Sequence, residues 1–526
     1  MWRLHQLDKH LSNPKHPYSH FSTGNLDTLK HEPEARGINV RQEFMNFHAR
    51  HYSANRMKLV ILGREPLDKL EEWAEELFSS VPNKELSQNR WEDESPYGDA
   101  ELLTQYFAKP VMDSRTLTLH FPFLDEEYLY ASKPSNYISH LIGHEGPGSV
   151  MACLKTRGWA NGLGSYSGSV APGTVGIFQC EIQLTEQGLQ HYKEIVKVVF
   201  QYIALIKDSP PQEWIFEEAK KMAEVDFKFK QKSPASSFAS GTSSTMHKPI
   251  PREWLLSNSI IVREFNPEAI TKGLNCLNPD NFRLSLISQT FPGGWDQKEK
   301  WYGTEYKYEK IPQDFLDEIK VAASLKPEDR YSELHIPHQN QFIPNKLDVE
   351  KKDIKTPAIA PKIIRNDKLV RAWYKKDDTF WVPKANLWVD LINPISTATI
   401  NNHVKTQLYT ELVKDALEEY AYDAELAGLL YSVNHNTHGL QMQVAGYNDK
   451  QSVLLEKILV TMRDLVITED RFVILKERFT RSLKNWVFGQ PYQQVGEHMR
   501  GLVSHIVSSF ACKSTTSLLA FEFINI

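Results

Sequence analysis

The sequence lacks the signals of several large classes of protein. Its four cysteines are scattered without a CxxC pair, which indicates a reducing, cytoplasmic setting with neither a disulfide framework nor a structural zinc site. No run of about 18 apolar residues occurs, so no transmembrane helix is expected. The N-terminus lacks the apolar stretch of a secretory signal. A formal net charge of −5 disfavours a nucleic-acid partner, because such proteins normally present a basic face.

Common catalytic motifs are missing as well. The 526 residues contain no HExxH or HxxEH zinc motif, and no GxSxG, P-loop or Rossmann fingerprint. One stretch comes near a zinc motif, because His140 and His144 are four residues apart and would share one face of a helix. In these motifs the glutamate that acts as general base lies between the histidines, directly after the first (HExxH) or directly before the second (HxxEH). Here Glu145 follows both histidines. Gly146-Pro147-Gly148 then ends the helix.

Length and composition indicate a globular protein of several domains. A chain of 526 residues suggests about three or four domains at roughly 150 residues each. Hydrophobic residues make up 41% and charged residues 24%, which is ordinary for a globular protein. Polar residues before position 100 and a proline-rich stretch at 322–362 separate the chain into three parts.

Apolar periodicity predicts helices and strands in an α+β order. Residues 41–81 predict a helix, a strand covered on both faces at Met57–Gly63, and a second helix. Further strands are predicted at 115–121, 178–184 and 282–288, the first of them half-buried. The last part predicts a helix at 401–427, a strand pair and a helix at 450–465. The recurring order of helix, strand pair, turn and long helix suggests duplicated α+β domains.

Long collinear segments of the chain resemble the insulinase (pitrilysin-like) zinc metallopeptidases, in particular the insulin-degrading enzymes and their fungal members. The segments are Trp2-Arg-Leu, Asn13-Pro-Lys-His-Pro17, Gly24-Asn25, Leu62-Gly-Arg-Glu65, 140–149, Gly158-Trp159, Trp301-Tyr-Gly-Thr304, 373–378, Glu419-Tyr-Ala-Tyr422, 424–428 and 446–451. They span almost the whole chain in the order of the family.

The resemblance implies a fold and a set of domain boundaries. Members of this size class have four homologous α+β domains, each an antiparallel-rich sheet covered by helices, and their two halves close like a clamshell around a peptide. This chain would then be a half-clamshell. Its expected parts are the C-terminal part of a first domain (1–88), a second domain with an exosite (89–315), an interdomain linker (316–362) and a truncated third, middle domain (363–526).

The resemblance also implies zinc chemistry that this chain does not carry. The family binds zinc through HxxEH and a downstream glutamate, which would precede Trp2, so zinc is the family's cofactor and its ligands are absent here. No catalytic or metal-binding residue is assigned, and the fourth domain is expected to be missing. The expected function is that of a zinc metalloendopeptidase homologue for short peptides, catalytically incomplete by itself. The alternative is a non-catalytic peptide-binding or regulatory subunit that joins an active peptidase in a homo- or hetero-oligomer.

The segment around His140 keeps three interpretations, namely a new zinc site, plain structure, or a peptide anchor. By resemblance, it and residues 163–167 correspond to the exosite that holds a substrate's N-terminal end. The candidate substrate-binding residues are His140, Leu141, Gly143, His144, Glu145, Gly146, Leu163, Gly164, Ser165 and Tyr166. Glycines let a peptide backbone approach closely, an exposed strand accepts an extended peptide, and Glu145 can pair with a terminal ammonium. Ser165 and Tyr166 replace a glycine pair of the family, so the peptide fit is expected to differ.

Overall fold

The computed structural model describes residues 2–349, 351 and 355–503, which fall into two units. The first unit contains the residues up to His144 and those from Gly148 to Pro337. The second contains Glu145–Pro147 and the residues from His338 onward. The predicted linker and third domain therefore lie partly outside the described residues, and so does Cys512.

The first unit is built around one mixed sheet. Its helices are α1 (Trp2–His10), α2 (Glu32–Ala35), α3 (Val40–His51), α4 (Leu67–Phe78), α5 (Pro134–Ile142), α6 (Val150–Thr156), α7 (Glu186–Gln190), α8 (Tyr192–Lys207), α9 (Glu213–Lys228), α10 (Ala235–Thr245), α11 (Pro267–Cys276) and α12 (Gln313–Ser324). Its strands are β1 (Thr104–Ala108), β2 (Thr116–Phe123), β3 (Ala160–Gly168), β4 (Gly176–Leu184), β5 (Arg283–Ile287), β6 (Gln297–Lys298) and β7 (Glu305–Lys310). The strand order is β3-β4-β2-β5-β1-β7-β6, with β1 and β5 parallel and the other neighbours antiparallel.

Alternation along β4 sets the two faces of this sheet. Phe178, Cys180 and Ile182 are buried in the main hydrophobic core with residues of α5, α8 and α11, as the sequence predicted for this strand. The intervening Gln179 and Glu181 lie on the opposite, outer face, because successive side chains of a strand point to opposite sides. The core therefore lies on one face of the sheet, and the outer face is lined by polar side chains.

The outer face is partly covered by the N-terminal segment, as β2 shows. Thr118 and His120 lie on the outer face of β2, yet they are buried, as are the core-facing side chains of this strand. The expected half-buried pattern of β2 is therefore wrong. The Tyr97 ring meets the His120 ring edge to face, with centroids 6.2 Å apart, and Leu7 of α1 is fully buried in a neighbouring cluster with Tyr106 of β1. Packing from a distant segment, which the periodicity of β2 does not report, decides its burial.

The predicted strand Met57–Gly63 is wrong. Helices α3 and α4 flank it as expected, but no strand is assigned between them, and Leu59 and Leu62 are 45% and 53% exposed. A strand requires a neighbour for its backbone hydrogen bonds, and none of the described strands pairs with this run. The apolar stripe of α4 is uncovered too, with Leu67 81% exposed.

The second unit has an antiparallel sheet and long helices. Its strands are β8 (Lys362–Asn366), β9 (Arg371–Tyr374), β10 (Lys384–Ile392), β11 (Leu429–Asn436) and β12 (Gly439–Tyr447), and its helices are α13 (Ile400–Leu426), α14 (Gln451–Arg463), α15 (Glu469–Asn485) and α16 (Pro491–Val503). The order β10-β12-β11 forms one sheet and β8-β9 a hairpin. Val413 and Leu417 of α13 pack in one core with Met442 and Val444 of β12. The predicted helix, strand pair and helix of this part are confirmed, and so is the α+β class.

No helix in the described ranges is both long and apolar enough to cross a membrane.

Candidate functional site

The helix that carries His140 ends earlier than predicted. α5 stops at Ile142, where Gly143 is the C-cap and its N–H donates to the Ser139 carbonyl at 2.8 Å. His144 therefore lies beyond the helix, and the expectation that one helix face presents both histidines is wrong. The two rings still meet edge to face, with centroids 5.6 Å apart.

The histidine pair does not fit a zinc ion. Burial lowers the pKa of His140, and burial together with the neighbouring His140 lowers the pKa of His144 to about 3. Among the described residues, no group of three or more His, Cys, Asp or Glu side chains is placed to hold a metal. A catalytic zinc site uses three protein ligands and a structural site four. The pair supplies two, so no zinc-dependent step is derived from it.

The second predicted segment forms an edge of the sheet. β3 is a nine-residue strand at the end of the strand order, and in the described structure it pairs with β4 alone. One irregularity in the register lies at its start, between Ala160 and Gly162, and the pairing is regular from there to Gly168. The backbone of β3 on the side away from β4 therefore has no strand beside it among the residues described.

The end of α5 and the core-facing side of β3 lie in direct contact. The Ser165 hydroxyl donates to the Ser139 carbonyl at 3.3 Å. A Cβ atom on Gly143 would lie 2.8 Å from the Ser139 carbonyl oxygen and 3.3 Å from the Ser165 nitrogen. Gly143 is thus required for the close approach of helix to strand. Leu163 is 7% exposed and completes this side of the strand.

The outer side of β3 is open. A Cβ atom on Gly164 would meet no heavy atom within 4 Å. Tyr166 is 50% exposed, and its hydroxyl donates to Oε1 of Gln179 at 2.9 Å. Burial raises the pKa of Tyr166, so it remains a neutral hydrogen-bonding group.

The structure brings together most of the predicted site residues, though not all. His140, Leu141, Gly143 and His144 belong to the first unit with the residues of β3, while Glu145 and Gly146 group with the second unit. There, Glu145 contributes to a raised pKa of Tyr422, after the larger effect of burial. Leu141 is 1% exposed and belongs to the hydrophobic core.

Sequence reasoning missed the residue opposite the open glycine. Glu181 of β4 is the register partner of Gly164, so the two residues share the outer face of the sheet. The alternating pattern of β4 indicated only that Glu181 lies on the solvent-accessible face of the strand. The pairing with a glycine depends on the register of two strands, which neither strand's sequence reports.

Sequence reasoning also missed a buried polar cluster on the same face. Asp8 of α1 accepts hydrogen bonds from the hydroxyls of Tyr18 and Tyr97, both at 2.8 Å. Arg283 is fully buried, with one guanidinium nitrogen 3.9 Å from Asp8 Oδ1. Burial raises the pKa of Asp8, but His120, Arg283 and the tyrosine hydroxyls outweigh it and leave the pKa lowered. The Asp8 carboxylate is therefore balanced by a nearby guanidinium and by two hydroxyl hydrogen-bond donors.

Two family descriptions match the chain. Residues 39–223 match the peptidase M16 inactive domain, and residues 227–513 match the middle or third domain of peptidase M16.

Individual relatives match nearly the whole chain. A Schizosaccharomyces pombe protein whose name places it among the zinc proteases is 42% identical over 92% of this chain and 49% of its own length. The insulin-degrading enzyme of Homo sapiens is 39% identical over 96% of the chain and 49% of its length. The A-factor-processing enzyme of Saccharomyces cerevisiae is 38% identical, with 96% and 48% covered. The chain thus spans about half the length of these relatives.

The fold also matches a solved structure. The crystal structure of pitrilysin aligns with a TM-score of 0.69 and 25% identity, covering 98% of this chain and 54% of that one.

Proposed function

The chain belongs to the peptidase M16 family, and on that premise we propose that it is an insulinase-type peptidase homologue that holds short peptides as an added strand on β3. The domain boundaries 1–88, 89–315, 316–362 and 363–526 stay part of this proposal.

The observation that carries the proposal is the edge of β3. Strand addition needs a run of backbone N–H and C=O groups with no neighbouring strand, and β3 offers such a run in the described structure. Its side chains are small or neutral along the whole strand, Ala-Asn-Gly-Leu-Gly-Ser-Tyr-Ser-Gly. A peptide backbone can therefore come close without meeting a charge on β3 itself.

The proposal assigns no bond-breaking step to this chain alone. Its sequence has neither HxxEH nor HExxH, and the two neighbouring histidines do not fit zinc. The chain would act either as the substrate-anchoring part of a zinc peptidase or as a regulatory peptide-binding subunit joined to an active one. A reducing, cytoplasmic compartment suits its free thiols Cys153, Cys180 and Cys276.

The test of peptide holding uses backbone methylation. A fluorescein-labelled peptide of about nine residues, matched to the length of β3, is measured by fluorescence anisotropy with the purified chain. Only one alternating set of its amides faces β3 in an added strand, because successive N–H groups point to opposite edges. We expect N-methylation of one set to abolish binding and of the other set to leave it intact. Equal effects of both sets would contradict strand addition.

A glycine substitution locates the binding at β3. Gly143→Val places a side chain against the Ser139 carbonyl and the Ser165 nitrogen, so β3 must shift and binding should weaken by about tenfold or more. Gly241→Val in α10 is the matched control, since a Cβ atom there would meet nothing within 4 Å. Unchanged binding in a folded Gly143→Val protein would place the peptide elsewhere.

Peptide turnover tests the absence of a catalytic step. With zinc added, the purified chain should leave a fluorogenic peptide intact. Turnover that a chelator abolishes would overturn this part of the proposal.

A further inference from the structure

On the outer face of β3 there is one position where a side chain of an added strand can extend across β3 towards β4. On this face Gly162, Gly164 and Tyr166 of β3 pair with Gln183, Glu181 and Gln179 of β4. Tyr166 is engaged with Gln179, and Gly162 lies against the Gln183 side chain. Of the two glycines, Gly164 is the one whose Cβ position meets nothing within 4 Å. A gap therefore opens over Gly164, directly in front of Glu181.

Glu181 carries a negative charge that the described residues leave unmatched. Its side chain is half-buried and forms no ion pair or side-chain hydrogen bond within the described part of the chain. Burial raises the pKa of Glu181, and no cation opposes that effect. Arg283, a buried cation of this face, already lies 3.9 Å from Asp8. The other register partner of Glu181 is Thr118 of β2, which is neutral.

We propose that Gly164 and Glu181 form a subsite that selects a lysine or arginine side chain of the peptide held at β3. The proposal rests on the proposed function and adds the substrate class to it, namely extended peptides with a basic residue at one defined position.

Strand geometry brings the two charges within reach. A residue opposite Gly164 on an added strand projects its side chain to the same outer face. Its Cα would be two strand spacings, about 9.6 Å, from that of Glu181. A long basic side chain and a glutamate together span such a distance when no side chain stands between them, and Gly164 supplies none. An acidic residue at this position would meet Glu181 as a like charge, and a short apolar one would leave the carboxylate unpaired.

A positional scan with the full chain tests the subsite. The probes are fluorescein-labelled threonine- and glutamine-based peptides with a single lysine at each position in turn, compared with norleucine and glutamate at the same position. We expect one position where lysine binds up to about fivefold more tightly than norleucine, the upper range of a solvent-accessible ion pair, and glutamate more weakly than both. At the neighbouring positions, whose side chains face the other side, the three peptides should bind alike.

Variants assign the preference to the carboxylate. Glu181→Gln should remove the lysine preference, so that the lysine and norleucine peptides bind alike. Glu186→Gln, at an exposed glutamate that begins α7, is the matched control for the loss of one charge and should keep the preference. Gly164→Val should abolish the preference by filling the gap, which checks the proposal independently of Glu181.

The outcomes separate this inference from the proposed function. Peptides that bind in the strand-addition pattern with no lysine preference at any position would overturn the subsite alone. A lysine preference that survives Glu181→Gln in a folded protein would also overturn it. Failure of every peptide to bind would overturn strand addition and the subsite with it.

Discussion

The two edges of the first unit's sheet differ in length, charge and composition. β6 forms one edge with two residues, Gln297 and Lys298, and the Lys298 ammonium lies 4.0 Å from a carboxylate oxygen of Glu305 on β7. β3 forms the other edge with nine residues and no charged side chain. Proteins commonly protect sheet edges by making them short and placing lysine on them. β6 follows that rule and β3 does not, so β3 has the long, uncharged edge that the proposed strand addition requires.

The comparison extends to the carboxylates near the sheet. Asp8 lies over its centre with an arginine and two tyrosine hydroxyls around it, whereas Glu181 lies beside the open edge and has no ion-pair partner among the described residues. Charge is therefore matched where the sheet is covered and unmatched where it is open.

The largest effect is expected where the sheet is covered. Asp8→Ala removes the carboxylate and leaves Arg283 buried without its anion, which should lower the free energy of unfolding by about 3–5 kcal/mol. Urea denaturation measures it. Asp99→Ala, at an exposed loop carboxylate, should change stability by less than about 0.5 kcal/mol. Equal losses in the two variants would show that Asp8 is not a structural anchor of the sheet.

Acid should destabilise the covered centre through His120. Burial lowers its folded pKa to about 4 from 6.5, although Asp8 opposes this and Arg283 adds to it. Between these values the unfolded chain binds a proton that the folded chain does not, so stability falls as pH falls from 6.5 to about 4. The loss amounts to at most about 3 kcal/mol. The pKa of Asp8 is lowered in the folded protein, so its protonation adds a further loss of stability as pH falls below 3.8, the ordinary pKa of this side chain.

Urea midpoints at several pH values measure this loss. A folded His120→Asn variant should show a flatter profile between pH 6.5 and 4. An unchanged slope would assign the acid sensitivity to other groups.

A smaller effect is expected from closing the open edge. Gly164→Lys fills the gap and places a cation next to Glu181, giving β3 the protection that β6 has. Peptide affinity should fall by about tenfold, or 1.4 kcal/mol, in an anisotropy titration. Lys298→Gly, the reverse change on β6, should create no peptide site, because two residues offer too little backbone. Retained affinity in Gly164→Lys would break the comparison between the edges.

Local sequence patterns predicted helices and strands where an element's own residues supply its buried face. They failed where the outcome depends on contact with a distant segment. The alternation of β4 and the helix–strand pair–helix order of α13 to α14 are present as expected, because their own residues supply the buried face. The run Met57–Gly63 has strand composition but no neighbour in the described structure, so it forms no ladder.

The candidate site divides in the same way. The resemblance to insulinase peptidases indicated residues 140–146 and 163–166, and the structure brings the first-unit members of both segments together at Gly143 and Ser165. Glu181 and the Asp8–Arg283 pair were missed, because each depends on register or on contact between segments far apart in the chain. Arg283 and Asp8, for example, are separated by most of the first unit.

Amide hydrogen exchange with and without a saturating peptide tests the central claim most directly. An added strand should bond to outward-facing amides of β3, so exchange in residues 160–168 should slow by about tenfold or more, while residues 297–298 of β6 stay unchanged. A bound peptide that leaves exchange in β3 unaltered, or that protects another part of the chain instead, would contradict the account.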